Sequence, residues 1–217
     1  MKDKLKSYGI EIQNEILLNT ALTHSSFSNE HNTENYERLE FLGDAVLELI
    51  ISEYLFLNTS YKEGDMSKIR ASYVCEEALD AYAKDIELEK YILVGHGQEK
   101  DINGTIVADV FESVLAVIYL ECGIEVVKKF ILDLIVPYIE KKIQFKYDYK
   151  SLLQEMVQTD KKSLEYVLIN ESGPAHKKTF TVEVHIDNMI YGRGTAGSKK
   201  EAEQRAAKDA YLKSSRK

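Results

Sequence analysis

Tryptophan is absent and proline occurs only twice in a chain of 217 residues. With so little proline and no low-complexity tract, no stretch is assigned to disorder by composition alone. There is no run of about 18 or more apolar residues, which excludes a helical membrane span. The amino-terminal Met1-Lys2-Asp3-Lys4-Leu5-Lys6 is charged and leads into no apolar stretch of the kind a signal peptide needs. Cysteine is nearly absent too. Cys75 and Cys122 have neither metal-ligand spacing nor histidines at finger spacing, so a zinc module is excluded, and they read as buried thiols in a reducing cytoplasm.

What the chain does have is apolar and acidic. A hydrophobic content of 44% in this length buries one good core, or one medium core and a small one. The net charge of −8 argues at first against a nucleic-acid partner. That charge is unevenly spread. Residues 148–217 hold 13 Lys+Arg against 10 Asp+Glu, a net of +3, which leaves 15 against 26, a net of −11, in residues 1–147. An acidic part is joined to a mildly basic one. If the acidic part handles a polyanion, it does so through metal ions and local basic patches rather than its overall field.

One acidic stretch organises the rest: Glu37-Arg38-Leu39-Glu40-Phe41-Leu42-Gly43-Asp44-Ala45-Val46-Leu47. At about 100° per residue, Glu37, Glu40 and Asp44 fall within roughly 60° of one another on a helix. The apolar residues around them cover too much of the circumference for a simple surface helix. Buried carboxylates without partners are costly and call for a cation; the competing reading is a solvated acidic edge. Gly43 shifts the balance. A helix interior avoids glycine, at a cost of about 1 kcal/mol against alanine, unless another backbone or a ligand must come close.

A second helix repeats the anomaly. In Thr105-Ile106-Val107-Ala108-Asp109-Val110-Phe111-Glu112-Ser113-Val114-Leu115, the most apolar segment of the chain, Asp109 and Glu112 share one face at i, i+3. If the two helices pack acid to acid, Glu40, Asp44, Asp109 and Glu112 converge. Carboxylates alone make a hard oxygen cage that suits Mg²⁺, with Mn²⁺ as a substitute, and not zinc.

Around these helices the pattern gives a helix over 3–18, a polar loop over 28–36 and a helix from Glu37 to about Asn58. A further helix follows the Glu63-Gly64 pair, then helices over 76–86 and 87–92, and a final helical stretch over 123–143. There Pro137 marks a kink or a break between two short helices. His24, in Leu22-Thr23-His24-Ser25-Ser26, is assigned to helix capping or core hydrogen bonding rather than to nucleophilic catalysis. The Gly95–Gly104 loop lacks the spacing of a nucleotide-binding loop, so no nucleotide cofactor is expected.

Beyond residue 148 the period changes. A helix over 149–159, strands over 164–169, 179–184 and 189–192, and a helix over 198–213 give the order α-β-β-β-α.

The Glu37–Leu47 stretch resembles the signature of the bacterial ribonuclease III family, which cuts double-stranded RNA, and Ala108-Asp109-Val110-Phe111-Glu112-Ser113 resembles that family's second acidic motif. The last seventy residues resemble a double-stranded-RNA-binding domain through Asp148-Tyr149-Lys150-Ser151-Leu152-Leu153-Gln154-Glu155, Gly173-Pro174-Ala175-His176 and Ser198-Lys199-Lys200-Glu201-Ala202. The resemblance implies an all-α nuclease domain, residues 1–145, followed by a small α+β RNA-binding domain, residues 148–217.

It further implies Mg²⁺-dependent hydrolysis leaving 5′-phosphate and 3′-hydroxyl ends. Glu40, Asp44, Asp109 and Glu112 would hold metal, with Asp44 and Glu112 indispensable. Glu37 and Glu63 would position water or RNA, and Lys68 and Arg70 are candidates for phosphate contacts. Ser151, Gln154, Glu155, Gln158, His176, Lys199 and Lys200 would touch the duplex across its minor grooves and phosphates. A cytoplasmic homodimer joined near the Glu37–Leu47 region, acting on ribosomal RNA precursors and structured messages, is implied as well. The rival reading is a non-catalytic double-stranded-RNA-binding protein on a retired nuclease domain.

Overall fold

The computed structural model describes residues 1–98, 102–145, 149–174 and 178–214. The chain divides into two compact units, residues 1–146 and 147–217.

The first unit is all helical: α1 Lys2–Ser7, α2 Glu15–Ala21, α3 Ser25–His31, α4 Glu37–Asn58, α5 Glu63–Tyr73, α6 Glu76–Asp85, a single 3₁₀ turn at Leu88–Tyr91, α7 Gly104–Cys122 and α8 Ile124–Glu140. Helix α7 is the centre. It is buried almost all round, from Ile106 to Ile118, because its apolar residues leave no polar face apart from Asp109 and Glu112. Its start is set by Asn103, whose side chain accepts from Ile106 N at 3.0 Å, satisfying an amide that the helix cannot. Helix α4 lies against α7 through Leu39, Val46, Leu47, Ile50 and other buried residues. None of the described helices is long and apolar enough to cross a membrane.

At Gly43 the backbones of α4 and α7 come into close contact. A Cβ at Gly43 would lie 1.8 Å from the carbonyl oxygen of Glu112, so only glycine allows this approach. The expected close neighbour of Gly43 is thus the backbone of the second acidic helix.

The second unit has α9 Tyr149–Thr159, β1 Leu164–Ser172, β2 Thr179–Ile186, β3 Met189–Ala196 and α10 Lys199–Ser214. The strands form one antiparallel sheet in the order β1-β2-β3. Its core joins Leu153 and Val157 of α9, Val182, Val184 and Ile186 of β2, and Ala202, Ala206 and Ala210 of α10. Helix α10 presses onto β3 at two glycines on one face of the strand. A Cβ at Gly192 would meet Ala206 O at 2.3 Å, and one at Gly194 would meet Ala202 O at 2.3 Å.

Several boundaries differ from the sequence expectation. The helix expected over 3–18 is two helices. Gly9 turns the chain with φ +76°, and Asn14 restarts it by accepting from Leu17 N at 3.0 Å. The loop expected over 28–36 begins as α3, held by His24, whose Nδ1 accepts from Ser26 N at 3.2 Å. Stacking of Phe27 on His31, with ring centroids 3.9 Å apart, adds to it. The helix expected over 87–92 is only one 3₁₀ turn. Pro137 neither breaks nor splits α8, because it falls in the last turn. Strands β1 and β3 both run longer than the alternation indicates, β1 across a bulge between Leu168 and Asn170.

Candidate active site and nucleic-acid interface

Four of the expected carboxylates stand on the facing surfaces of α4 and α7. Glu40 and Asp44 are one turn apart on α4, with Glu37 at its first turn. Asp109 and Glu112 project from α7. Their mutual influence is electrostatic. Burial first, then the charges of Asp44, Glu40, Asp109 and Glu48, push the Glu112 carboxyl up to about 8. Burial, Asp109, Glu37 and Asp44 raise Glu40 as well. Asp109 is raised by burial, against the opposing effect of a hydrogen bond from Tyr36. Such shifts follow from burying like charges close to one another.

The side chains do not form a closed cage. Among the described residues, no three Asp, Glu, His or Cys side chains already stand where they could hold a metal ion. The chemistry of the donors nevertheless fits a hard divalent cation, since every candidate ligand is a carboxylate oxygen.

Two acids escaped the sequence reading. Glu48, one turn beyond Asp44, adds to the charge around Glu112. Glu76, at the start of α6, acts on Asp109 and accepts from Thr105 Oγ1 at 3.1 Å. The i, i+4 spacing of Asp44 and Glu48 was a usable signal; nothing local marked Glu76. Tyr36 was missed too. Its buried hydroxyl donates to Asp109 Oδ2 at 3.0 Å, and burial, then Asp109, raises the phenol well above its ordinary pKa.

Glu63 stands apart from this group. It opens α5, accepts from Ser67 Oγ at 2.9 Å and lines a cleft of ≈ 240 Å³ with Ser52, Leu55, Phe56, Met66 and Arg70. Arg70 Nη1 donates to Ser52 Oγ at 2.9 Å, so its guanidinium faces α4.

In the second unit, Ser151, Gln154, Glu155 and Gln158 are all exposed. Their i, i+3, i+4, i+7 spacing puts them on the side of α9 away from buried Leu153 and Val157. Lys199 and Lys200 are exposed on the first turn of α10, where the helix end favours anions. Ser198 Oγ caps that turn, accepting from Glu201 N at 3.2 Å. Lys150, Lys178, Arg205 and Lys213 are each paired with an acid, whereas no ion pair holds Lys199 or Lys200 among the described residues. His176 lies outside the described residues.

A helical unit with carboxylates on two facing helices, joined to an α-β-β-β-α module with two adjacent exposed lysines at a helix start, defines a two-part nucleic-acid enzyme. Residues 14–139 match the Ribonuclease-III-like family and residues 149–214 the double-stranded RNA binding motif. The chain belongs to the ribonuclease III family of endoribonucleases. It is 44% identical to Ribonuclease 3 of Onion yellows phytoplasma over 96% of this chain and 89% of that protein. It is 46% identical to Ribonuclease 3 of Listeria innocua, over 93% and 92%. The nuclease domain of ribonuclease III from Campylobacter jejuni, solved in a study of its dimer-forming region, superposes with a TM-score of 0.58 at 38% identity. That match covers 62% of this chain and 94% of the Campylobacter domain.

Proposed function

We propose that residues 1–145 are the catalytic domain of a Mg²⁺-dependent endonuclease that hydrolyses double-stranded RNA and leaves 5′-phosphate and 3′-hydroxyl ends. Residues 148–217 serve as its RNA-binding domain. The observation that carries this reading is the approach of α4 to α7 at Gly43 and Glu112, which sets Glu40, Asp44, Asp109 and Glu112 against one another in a chain that also has a double-stranded RNA binding motif.

In this reading the four carboxylates hold metal, Asp44 and Glu112 indispensably and Glu40 and Asp109 in support. A bound Mg²⁺, or Mn²⁺ in its place, supplies an activated water and neutralises charge on the departing 3′-oxygen. Glu37 positions water or RNA beside the cluster and Glu63 contacts RNA from α5. Ser151, Gln154, Glu155, Gln158 and His176 read minor-groove hydroxyls and base edges, and Lys199 and Lys200 take phosphates. This division of labour accounts for an acidic catalytic part acting on a polyanion.

The working form is a homodimer joined along α4. Phe41, Leu49 and Phe56 are 81%, 61% and 71% exposed, while Leu39, Val46, Leu47 and Ile50 of the same helix fill the core. The monomer's core therefore does not account for the apolar excess of α4, and such a strip favours a protein partner. Its substrates in the cytoplasm are precursors of ribosomal RNA and structured messages.

The test is incubation of the full chain with a long, sequence-neutral RNA duplex, in Mg²⁺ and in EDTA, beside Glu112→Ala. Mg²⁺-dependent cutting to short duplexes, lost in the variant while binding survives, is the expected result. Binding without cutting by the wild type, in Mg²⁺ or Mn²⁺, would leave a non-catalytic double-stranded-RNA-binding protein instead.

A further inference from the structure

Asp109 is held from behind by a residue that bears no charge. Tyr36 is only 4% exposed, and its hydroxyl donates to Asp109 Oδ2 at 3.0 Å. The tyrosine is itself pinned on several sides. Its backbone N–H donates to Thr23 O at 3.0 Å, and its carbonyl accepts from Leu39 N at 2.8 Å and Glu40 N at 2.9 Å. Its ring packs beside that of His24, centroids 5.8 Å apart. The buried Ser113 hydroxyl lies 2.8 Å from Asp109 O and 3.4 Å from Tyr36 O, tying α7 to the start of α4 one turn past Asp109.

Tyr36 thus joins three elements: the Thr23–His24 segment, the first turn of α4 that carries Glu37 and Glu40, and the acidic face of α7. A phenol donating to a carboxylate forms a charge-assisted bond with defined direction. It takes Oδ2 of Asp109, and no hydrogen bond takes the other oxygen among the described residues, so that oxygen is the one to serve as a ligand. Groups that bond to metal ligands in this way fix their orientation and tune affinity.

We propose that Tyr36 is a positioning residue of the divalent-cation site, holding Asp109 by one oxygen so that the acids of α4 and α7 keep the register that a shared metal needs. This rests on the metal reading of the cluster given above.

Tyr36→Phe tests it, because the ring and its packing remain and only the donor is removed. Mn²⁺ binding to the full chain is measured directly by calorimetry, together with the Mg²⁺ concentration that half-saturates cleavage and the melting temperature in EDTA. The expected result is Mn²⁺ affinity weakened by about tenfold to a hundredfold, a matching rise in the Mg²⁺ requirement, near-normal cleavage at saturating Mg²⁺ and an unchanged melt in EDTA. Equal Mn²⁺ affinity in wild type and variant overturns the proposal and leaves the metal reading standing. A loss of affinity that merely follows a lowered EDTA melting temperature overturns it too, since general loosening moves both together. Absence of Mn²⁺ binding by the wild type overturns the metal reading and this proposal with it.

Discussion

Gly43 and Glu112 touch backbone to backbone: a methyl group on the first would sit 1.8 Å from the carbonyl oxygen of the second. Gly43 precedes Asp44, so this close contact between α4 and α7 lies within the acid cluster itself. Gly43→Ala should force the helices apart. Overpacking of this kind costs typically 1–3 kcal/mol, offset by about 1 kcal/mol from the better helix propensity of alanine. Urea unfolding should show net destabilisation. Cleavage should fall further than stability alone explains, on the order of a hundredfold for a displacement near 1 Å. A variant with wild-type activity would show that the spacing of Asp44 and Glu112 is not critical.

Glu112 makes the stability of the metal-free protein depend on pH. Its folded carboxyl titrates at about 8, against an ordinary value of 4.5, so between those values the native state binds more protons than the unfolded chain. Stability from this group is full below the ordinary value and is lost as pH rises through about 8. Glu40 and Asp109, also raised, act with the same sign. In EDTA the melting temperature should therefore fall from about pH 5 to pH 8. Glu112→Gln should flatten the profile and melt higher than the wild type above that range. Mg²⁺ should reverse the trend, because ligation needs the ionised carboxylates. Scanning fluorimetry across pH, with EDTA or Mg²⁺, checks all three.

Much of this architecture is legible in the sequence because each acid-bearing helix violates its own apolar pattern. Helix α4 runs over Glu37–Asn58 and α9 over Tyr149–Thr159, as periodicity indicates, since both have a clear buried face. What escapes the sequence depends on tertiary partners. Helix α3 is polar apart from Phe27 and owes its start to the His24 side chain. Strand β3 looks broken at Gly192 and Gly194, yet those glycines are what admit α10, whose Ala202, Ala206 and Ala210 recur at every fourth residue. Tyr36 looks like any aromatic core residue ahead of a helix. Only the fold brings its hydroxyl to Asp109, 73 positions away.

The exposed strip of α4 gives a prediction about assembly. Phe41 and Leu49 are largely exposed in the single chain, so replacing them with Asp should leave the monomer's core intact while placing charge in the proposed interface. Phe41→Asp with Leu49→Asp should convert a dimer to a monomer by analytical ultracentrifugation with little change in helical circular dichroism. Phe56→Asp should act the same way more weakly if the strip's far end lies at the interface rim. A double variant that remains dimeric would move the interface off this face.

The lysines at the start of α10 should reveal themselves in salt dependence rather than in affinity at one condition. Each phosphate contact releases counterions, so removing one lowers the slope of log K against log salt by about 0.9. Lys199→Ala and Lys200→Ala should each do so, similarly for any duplex sequence, because phosphate contacts carry no base information. Lys213 supplies the contrast: it shares the helix and the charge, but is paired with Asp209 at 2.6 Å in the last turn, where the helix end disfavours anions. Lys213→Ala should leave the slope unchanged. Binding of a long duplex to the EDTA-treated protein, measured across salt concentrations, separates the two cases without interference from cleavage. Equal slopes for Lys199→Ala, Lys213→Ala and wild type would mean that the first turn of α10 does not face the backbone of the RNA.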